Sequence, residues 1–230
     1  MYKNIKIINS DEDKKLKISE IKTFKYASKA TQVIITYEEF FETAKSQPIV
    51  FGKDEQGSYY AAALLGLKEG KNLFINGKGE WKNEAYIPAY LRRYPFIFVQ
   101  DGETLALAVD KDCKEVNEKK GQALFDENGE MSKYSTTVLE FMKGFQTASV
   151  KTSAIIKIMD EMGLLEEANA SMQLSDESFI VKGFYRVNEK KLDALSDEDT
   201  LKLVRSGFYK FITAHLLSLS NFSKLVHYSK

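Results

Sequence analysis

Two of the chain's four arginines, Arg92 and Arg93, stand side by side in the run YIPAYLRRYPF, residues 86–96, together with two of its three prolines. Elsewhere lysine, 29 copies of it, supplies the positive charge. A guanidinium differs from an ammonium in two ways: its planar fork holds a carboxylate or phosphate through paired hydrogen bonds, and its flat face stacks on aromatic rings. Trp81, the only tryptophan, lies just upstream with Tyr86 and Tyr90. These residue types predict a concave site with aromatic walls for a peptide, a protein or a small anionic ligand. Its ligand-binding residues would be Trp81, Tyr86, Tyr90, Arg92 and Arg93. The competing reading is structural: an arginine pairs internally with an acid such as Glu84, and the rings fill the core.

Other chemistries find little footing. The two histidines, His215 and His227, have no Cys, Asp or Glu beside them at ligand spacing, whereas zinc and iron sites need three or four convergent donors. No metal site and no cofactor are predicted. His215 falls on the apolar stripe of a helical segment, which points to a hydrogen-bonded core histidine. No Gly-x-Ser-x-Gly elbow, phosphate loop or Gly-x-Gly-x-x-Gly fingerprint is present, so no catalytic residue is assigned. Cys113, the sole cysteine, forms no intrachain disulfide and sits in DKDCKEVNEKK, which reads as a charged, exposed connector.

The elements that must position the arginines follow from periodicity and turn chemistry. Pro88 suits the start of a helix and Pro95 forbids its continuation, leaving room for about one and a half turns, Ala89 to Arg93. On that turn Tyr86, Tyr90 and Arg93 should share a face, with Leu91 turned inward. Before it, short apolar runs at 5–8, 32–36, 48–52, 59–66 and 73–77 read as strands, and 96–100 with 105–109 as a hairpin through Asp101-Gly102-Glu103-Thr104. One helix, about 37–46, opens on the capping-box pair Thr36 and Glu39. Beyond it, Tyr134, Val138, Phe141, Phe145, Ala148, Thr152, Ile155, Met159 and Met162 recur at helical spacing, with Ser132 as cap and Gly163 as stop. Gly144, Ala148 and Thr152 weaken the middle of this stripe. It therefore reads as a helical hairpin broken near 144–150, or as a seam through which helix 133–162 forms a homo-oligomer. Residues 171–187 read as a β-hairpin turning at SDES, and about 197–219 as a last long helix with Leu201, Val204, Phe208, Phe211, His215 and Leu219 on its apolar face.

The fold class expected is α+β: an N-terminal, mostly antiparallel β region with one helix, then a mainly helical half containing a β-hairpin. The boundary falls at the charged stretch 110–120, giving regions 1–120 and 121–230 or one continuous domain. Basic and acidic residues balance at 33 each and interleave along the chain, which argues against a nucleic-acid partner. No run of 18 apolar residues occurs, so no membrane-spanning helix is predicted. Without an apolar N-terminal run the expected address is cytoplasmic, with the cell surface reached by a route independent of a signal peptide as the alternative.

The pattern W-x(4)-YIPAYLRRYPF resembles the signature segment of the SapC family, which takes its name from a protein linked to bacterial surface layers. The likeness extends in order through EEFFETAKSQPIVFG, ALLGLKEGKNLFINGKGEW, GQALFDENGEMSKY, MGLLEE and the C-terminal GFYRVNEKKLDALSDEDTLKLVRSGFYKFITAHLLSLSNFSKL. The resemblance implies a soluble bacterial accessory protein associated with the surface layer or cell-surface biogenesis, and it carries no defined activity. An enzyme or its substrate-presenting subunit, using an arginine as carboxylate clamp, and a structural surface-layer component are the alternatives.

Overall fold

Alternating apolar runs bounded by glycine and asparagine turns pair here as antiparallel ladders. The computed structural model describes residues 1–174 and 177–229. Along the chain come β1 (Ile5–Ile7), α1 (Ser10–Asp13), β2 (Lys17–Ile18), β3 (Gln32–Ile34), α2 (Phe40–Ala44), β4 (Ile49–Lys53) and β5 (Tyr59–Leu64). Then follow α3 (Ala89–Arg92), β6 (Phe96–Asp101), β7 (Thr104–Asp110), β8 (Val116–Asn117), β9 (Gln122–Ala123) and α4 (Lys133–Glu161). The chain continues with β10 (Leu165–Leu174), β11 (Glu177–Val187), α5 (Glu189–Asp193), α6 (Asp197–Arg205), α7 (Tyr209–Ser218) and α8 (Phe222–Tyr228). The fold is α+β, as expected.

Among the described residues three antiparallel sheets form, with strand orders β1-β7-β6, β10-β11-β4-β5-β3 and β8-β2-β9. The second joins distant parts of the chain. Its β10–β11 hairpin comes from the later part of the sequence and pairs through Tyr185 with Phe51 of β4. One large apolar cluster accordingly contains Ile49 and Phe51, Ile155 and Met159 of α4, and Ile212 of α7. A smaller cluster, around Phe96, Val109, Leu124 and Met142, lies under the first sheet. The β6–β7 hairpin forms as read, with Asp101 opposite Thr104 and Gly102 at φ 57°, a left-handed angle that glycine adopts without strain.

Five local expectations need correcting. The stripe from Tyr134 to Met162 makes one unbroken 29-residue helix. Gly144 is exposed and costs it about 1 kcal/mol, which burial of Met142, Ala148, Ile155, Ile156 and Met159 against this chain's own strands outweighs. The Thr152 hydroxyl donates to the Ala148 carbonyl (2.7 Å) and accepts the Tyr37 N–H (2.8 Å), so it ties α4 to the turn ahead of α2. Ser132 caps this helix, and Gly163 ends it at φ 68°. The segment about 197–219 is two helices, because Gly207 at φ 74° breaks it. Leu201 and Val204 consequently face solvent while Leu203 is fully buried.

Residues 73–77 form no strand: Ile75 makes a single bridge to Trp81, and the Asn76 carboxamide closes the turn by accepting the Lys78 and Glu80 N–H groups. Cys113, expected at the surface, is buried. The hairpin expected over 171–187 begins earlier, at Leu165, with a register shift between Ala168 and Ala170. Residues 175–176 of its SDES turn lie outside the described residues. Among the described residues no helix is long and apolar enough to cross a membrane.

An arginine–aromatic groove at the sheet edge

Between its two prolines the predicted turn forms: α3 spans Ala89–Arg92, and the Pro88 carbonyl accepts the N–H groups of Leu91 and Arg92. Its entry is fixed by a residue remote in sequence. The buried Glu39 carboxylate accepts the Ala89 N–H (2.6 Å) and the Tyr86 hydroxyl (3.2 Å) on one oxygen. The other oxygen takes the Thr36 N–H (2.8 Å) and hydroxyl (3.1 Å). One acid thus completes the expected capping box and also holds the start of α3, satisfying donors that the interior would otherwise strand.

The two arginines part company here. Arg92 is exposed; its Nε donates to the Ile87 carbonyl (3.0 Å) and its Nη2 to the Tyr86 hydroxyl (3.1 Å), with Phe141 5.5 Å from the guanidinium carbon. Burial, and then the Glu39 charge, push the Tyr86 hydroxyl's pKa up, against a smaller opposing pull from Arg92. Tyr86 therefore serves Arg92, not the face of Tyr90 and Arg93 where helical spacing had put it. Glu39 has captured its hydroxyl.

Arg93 is half-buried, with its guanidinium carbon 4.0 Å from the Tyr90 ring centroid, 5.2 Å from Phe145 and 5.7 Å from Tyr2. Its Nε is buried with no hydrogen-bond partner among the described residues. Among the described residues no carboxylate forms an ion pair with Arg92 or Arg93; Glu84, the acid suggested by proximity, is exposed. Stacking on rings is worth about 0.5–2 kcal/mol, but it leaves the buried Nε unbonded among the described residues. The Tyr2 hydroxyl, raised to about 12 by burial and partly pulled back by the charge and hydrogen bonding of Arg93, donates to the Phe96 carbonyl (2.8 Å).

Arg93 and Tyr90 line a cavity of about 310 Å³ with Ile34, Ile35, Tyr60, Ala61, Phe145, Ser149, Thr152, Ser153 and Ile156. A second hollow of about 250 Å³, bounded by Gln32, Val33, Ile34, Tyr60, Ala62 and Tyr90, shares three of those walls. Trp81 borders neither. It stacks on Phe74 (5.5 Å between centroids) inside the main core, and its Nε1 donates to the Ala85 carbonyl (3.1 Å). Of the five residues singled out from sequence, Tyr90 and Arg93 meet at the cavity, Tyr86 and Arg92 lie together beside it, and Trp81 supports the segment from below. A more voluminous open depression, about 630 Å³, lies between Ile18–Ile21, Tyr94-Pro95, Gly121-Gln122 and Tyr134. Among the described residues its one charged wall residue is Glu20, so it offers no comparable anion hold.

Phe145, Tyr60 and Ile34 escaped the sequence reading as site residues. Phe145 was visible as a stripe position, and Tyr60 and Ile34 as strand residues, but nothing local marks their convergence. The remaining candidates for chemistry are committed to structure. His215 is fully buried; its Nε2 accepts the Val187 N–H (3.1 Å) and its Nδ1–H donates to the Ile49 carbonyl (2.9 Å), bridging β11 and β4. Burial lowers its pKa to about 4, so it stays neutral at pH 7. Burial likewise pushes the Cys113 thiol up to about 11, away from the reactive thiolate. No group of three or more metal-ligating side chains is found among the described residues.

Fold and groove together define an α+β protein with an arginine-and-aromatic hollow beside an antiparallel sheet edge. The chain belongs to the SapC family, whose sequence profile matches residues 8–225, nearly its whole length. No curated protein and no solved structure matches it.

Proposed function

We propose that this chain is a non-enzymatic accessory protein of cell-surface or surface-layer biogenesis that binds an anionic ligand with an apolar or aromatic body in the Arg93 cavity. Tyr90 and Arg93 make the direct contacts. Trp81, Tyr86 and Arg92 hold the segment that presents them. The observation that carries this reading is Arg93 itself: a ring-stacked guanidinium that, among the described residues, has no acid partner and an unbonded buried Nε, bordering a hollow of about 310 Å³. A preorganised bidentate donor beside apolar walls suits a carboxylate carried on an apolar group. The commitment of His215 and Cys113 to the core supports binding over proton or thiol chemistry.

The experiment is thermal denaturation against a panel of carboxylates with aliphatic or aromatic tails. Saturation at one hundred times Kd adds about 2.7 kcal/mol, or roughly 5–10 °C in Tm for a chain of this size. Arg93→Lys keeps the charge but loses the fork, and should abolish the rise while leaving the ligand-free Tm within a few degrees. A panel that raises Tm equally in wild type and Arg93→Lys removes the proposed site. Cell fractionation tests the setting: native protein found only in the cytosol would reject a structural role in the surface layer.

A further inference from the structure

The cavity adjoins the outer strand of the sheet, against which α3 also packs. β3 is the outer strand of the five-stranded sheet, and its ladder to β5 uses alternate residues. Leu65 N–H donates to the Thr31 carbonyl (2.7 Å) and Ile35 N–H to the Ala61 carbonyl (3.1 Å), which puts Val33 opposite Ala63 as the bonded pair between them. By the alternation of an antiparallel ladder, the N–H and C=O groups of Gln32 and Ile34 point out of the sheet edge. Neither residue's backbone has another hydrogen-bond partner among the described residues. The smaller hollow runs along this same stretch of β3 and meets the larger one at Ile34, Tyr60 and Tyr90. Arg93 is the one charged residue lining either, among the described residues.

We infer that the joined hollows take the carboxyl terminus of an extended peptide, with its backbone on the Gln32–Ile34 edge and its terminal carboxylate on Arg93. This rests on the Arg93 binding reading above and names the ligand class. An extended chain offers amide donors and acceptors at the two-residue repeat that Gln32 and Ile34 require, while alternate side chains enter apolar hollows. A fatty or aromatic acid has a carboxylate for Arg93 but no amides for the edge. Two bonding positions on β3 match about three or four peptide residues.

The probes are N-acetylated tetrapeptides with Val, Leu, Phe or Tyr at the last two positions, as free acids and as C-terminal amides, alongside octanoate and 4-phenylbutyrate. Free-acid peptides should raise Tm by several degrees at saturation, and amidation should weaken them by about tenfold or more. Arg93→Lys should do the same. Gln32→Pro removes one outward N–H, a change edge strands tolerate, and should weaken peptides without affecting the two simple acids. In the unaltered protein, hydrogen exchange at the Gln32 and Ile34 amides should slow on adding peptide, which keeps the test open if Gln32→Pro fails to fold. Equal binding of amides and acids, or unchanged exchange at both amides under saturating peptide, overturns the inference. Binding of the simple acids alone, lost in Arg93→Lys, overturns the peptide inference while leaving the anion site intact. No response to any probe overturns both.

Discussion

Lowering the pH should weaken the fold through His215 well before most carboxylates titrate. The ring is fully buried, and both of its nitrogens are used by the backbone of β4 and β11, an arrangement that fits only the neutral form. Its folded pKa of about 4, depressed chiefly by burial, lies below the ordinary value near 6.5 expected in the unfolded chain. The unfolded state therefore binds the extra proton, so the stabilisation is fully present above about pH 6.5 and is lost as pH falls towards 4. Over the whole window this amounts to about 3 kcal/mol, of which about 2 kcal/mol falls between pH 7 and pH 5. Urea denaturation reads it directly, as a drop of roughly 1 M in midpoint for a slope near 2 kcal/mol/M. His215→Gln should be less stable at pH 7 and should lose this extra slope. His227, exposed at the C-terminal helix, is present in both proteins and cancels. A wild-type midpoint unchanged between pH 7 and pH 5, an equal drop in His215→Gln, or a His215 ring that titrates near 6.5 in the folded protein by NMR would refute the reasoning.

Other perturbations probe the scaffold that presents Arg93. Glu39→Ala strands the Thr36 and Ala89 N–H groups and the Tyr86 hydroxyl, and should cost about 3 kcal/mol in urea unfolding, with Glu39→Gln costing less. Gly144→Ala fills open space on the exposed side of α4 and should stabilise by about 0.5–1 kcal/mol; destabilisation would mean that this glycine is not in an ordinary helical turn. Cys113 should resist an aromatic disulfide reagent in the native protein and react at once in denaturant, because the buried thiol has a pKa of about 11. Rapid native labelling would contradict its burial.

The anchoring of α3 extends what the residues alone suggest about Arg92 and Arg93. Adjacent positions on a helical turn point about 100° apart, so two neighbouring arginines can rarely serve one small ligand in the same way. Here the division is sharpened by Glu39, which draws Tyr86 towards itself and leaves Arg92 bonded to Tyr86 and to the Ile87 carbonyl. Arg93 is left with rings on its faces and its buried Nε unbonded.

Sequence alone determined the features that depend on nearest neighbours along the chain. The Pro88–Pro95 bracket set the short α3, Ser132 and Gly163 set the ends of α4, and Gly102 set the β6–β7 turn, since each acts through φ restrictions or caps spanning a few residues. The α+β class and the family followed from runs and motifs of the same kind. Tertiary structure decided what local signals cannot encode. It kept α4 continuous through Gly144 because a buried face outweighs one weak position. It placed the β10–β11 hairpin beside β4, and it sent Trp81 into the core while bringing Phe145, Tyr60 and Ile34 to Arg93. It also joined Glu39 to α3 across 50 residues. Such choices rest on long-range burial and on satisfying buried donors, energies that belong to pairs of residues brought together only when the whole chain closes.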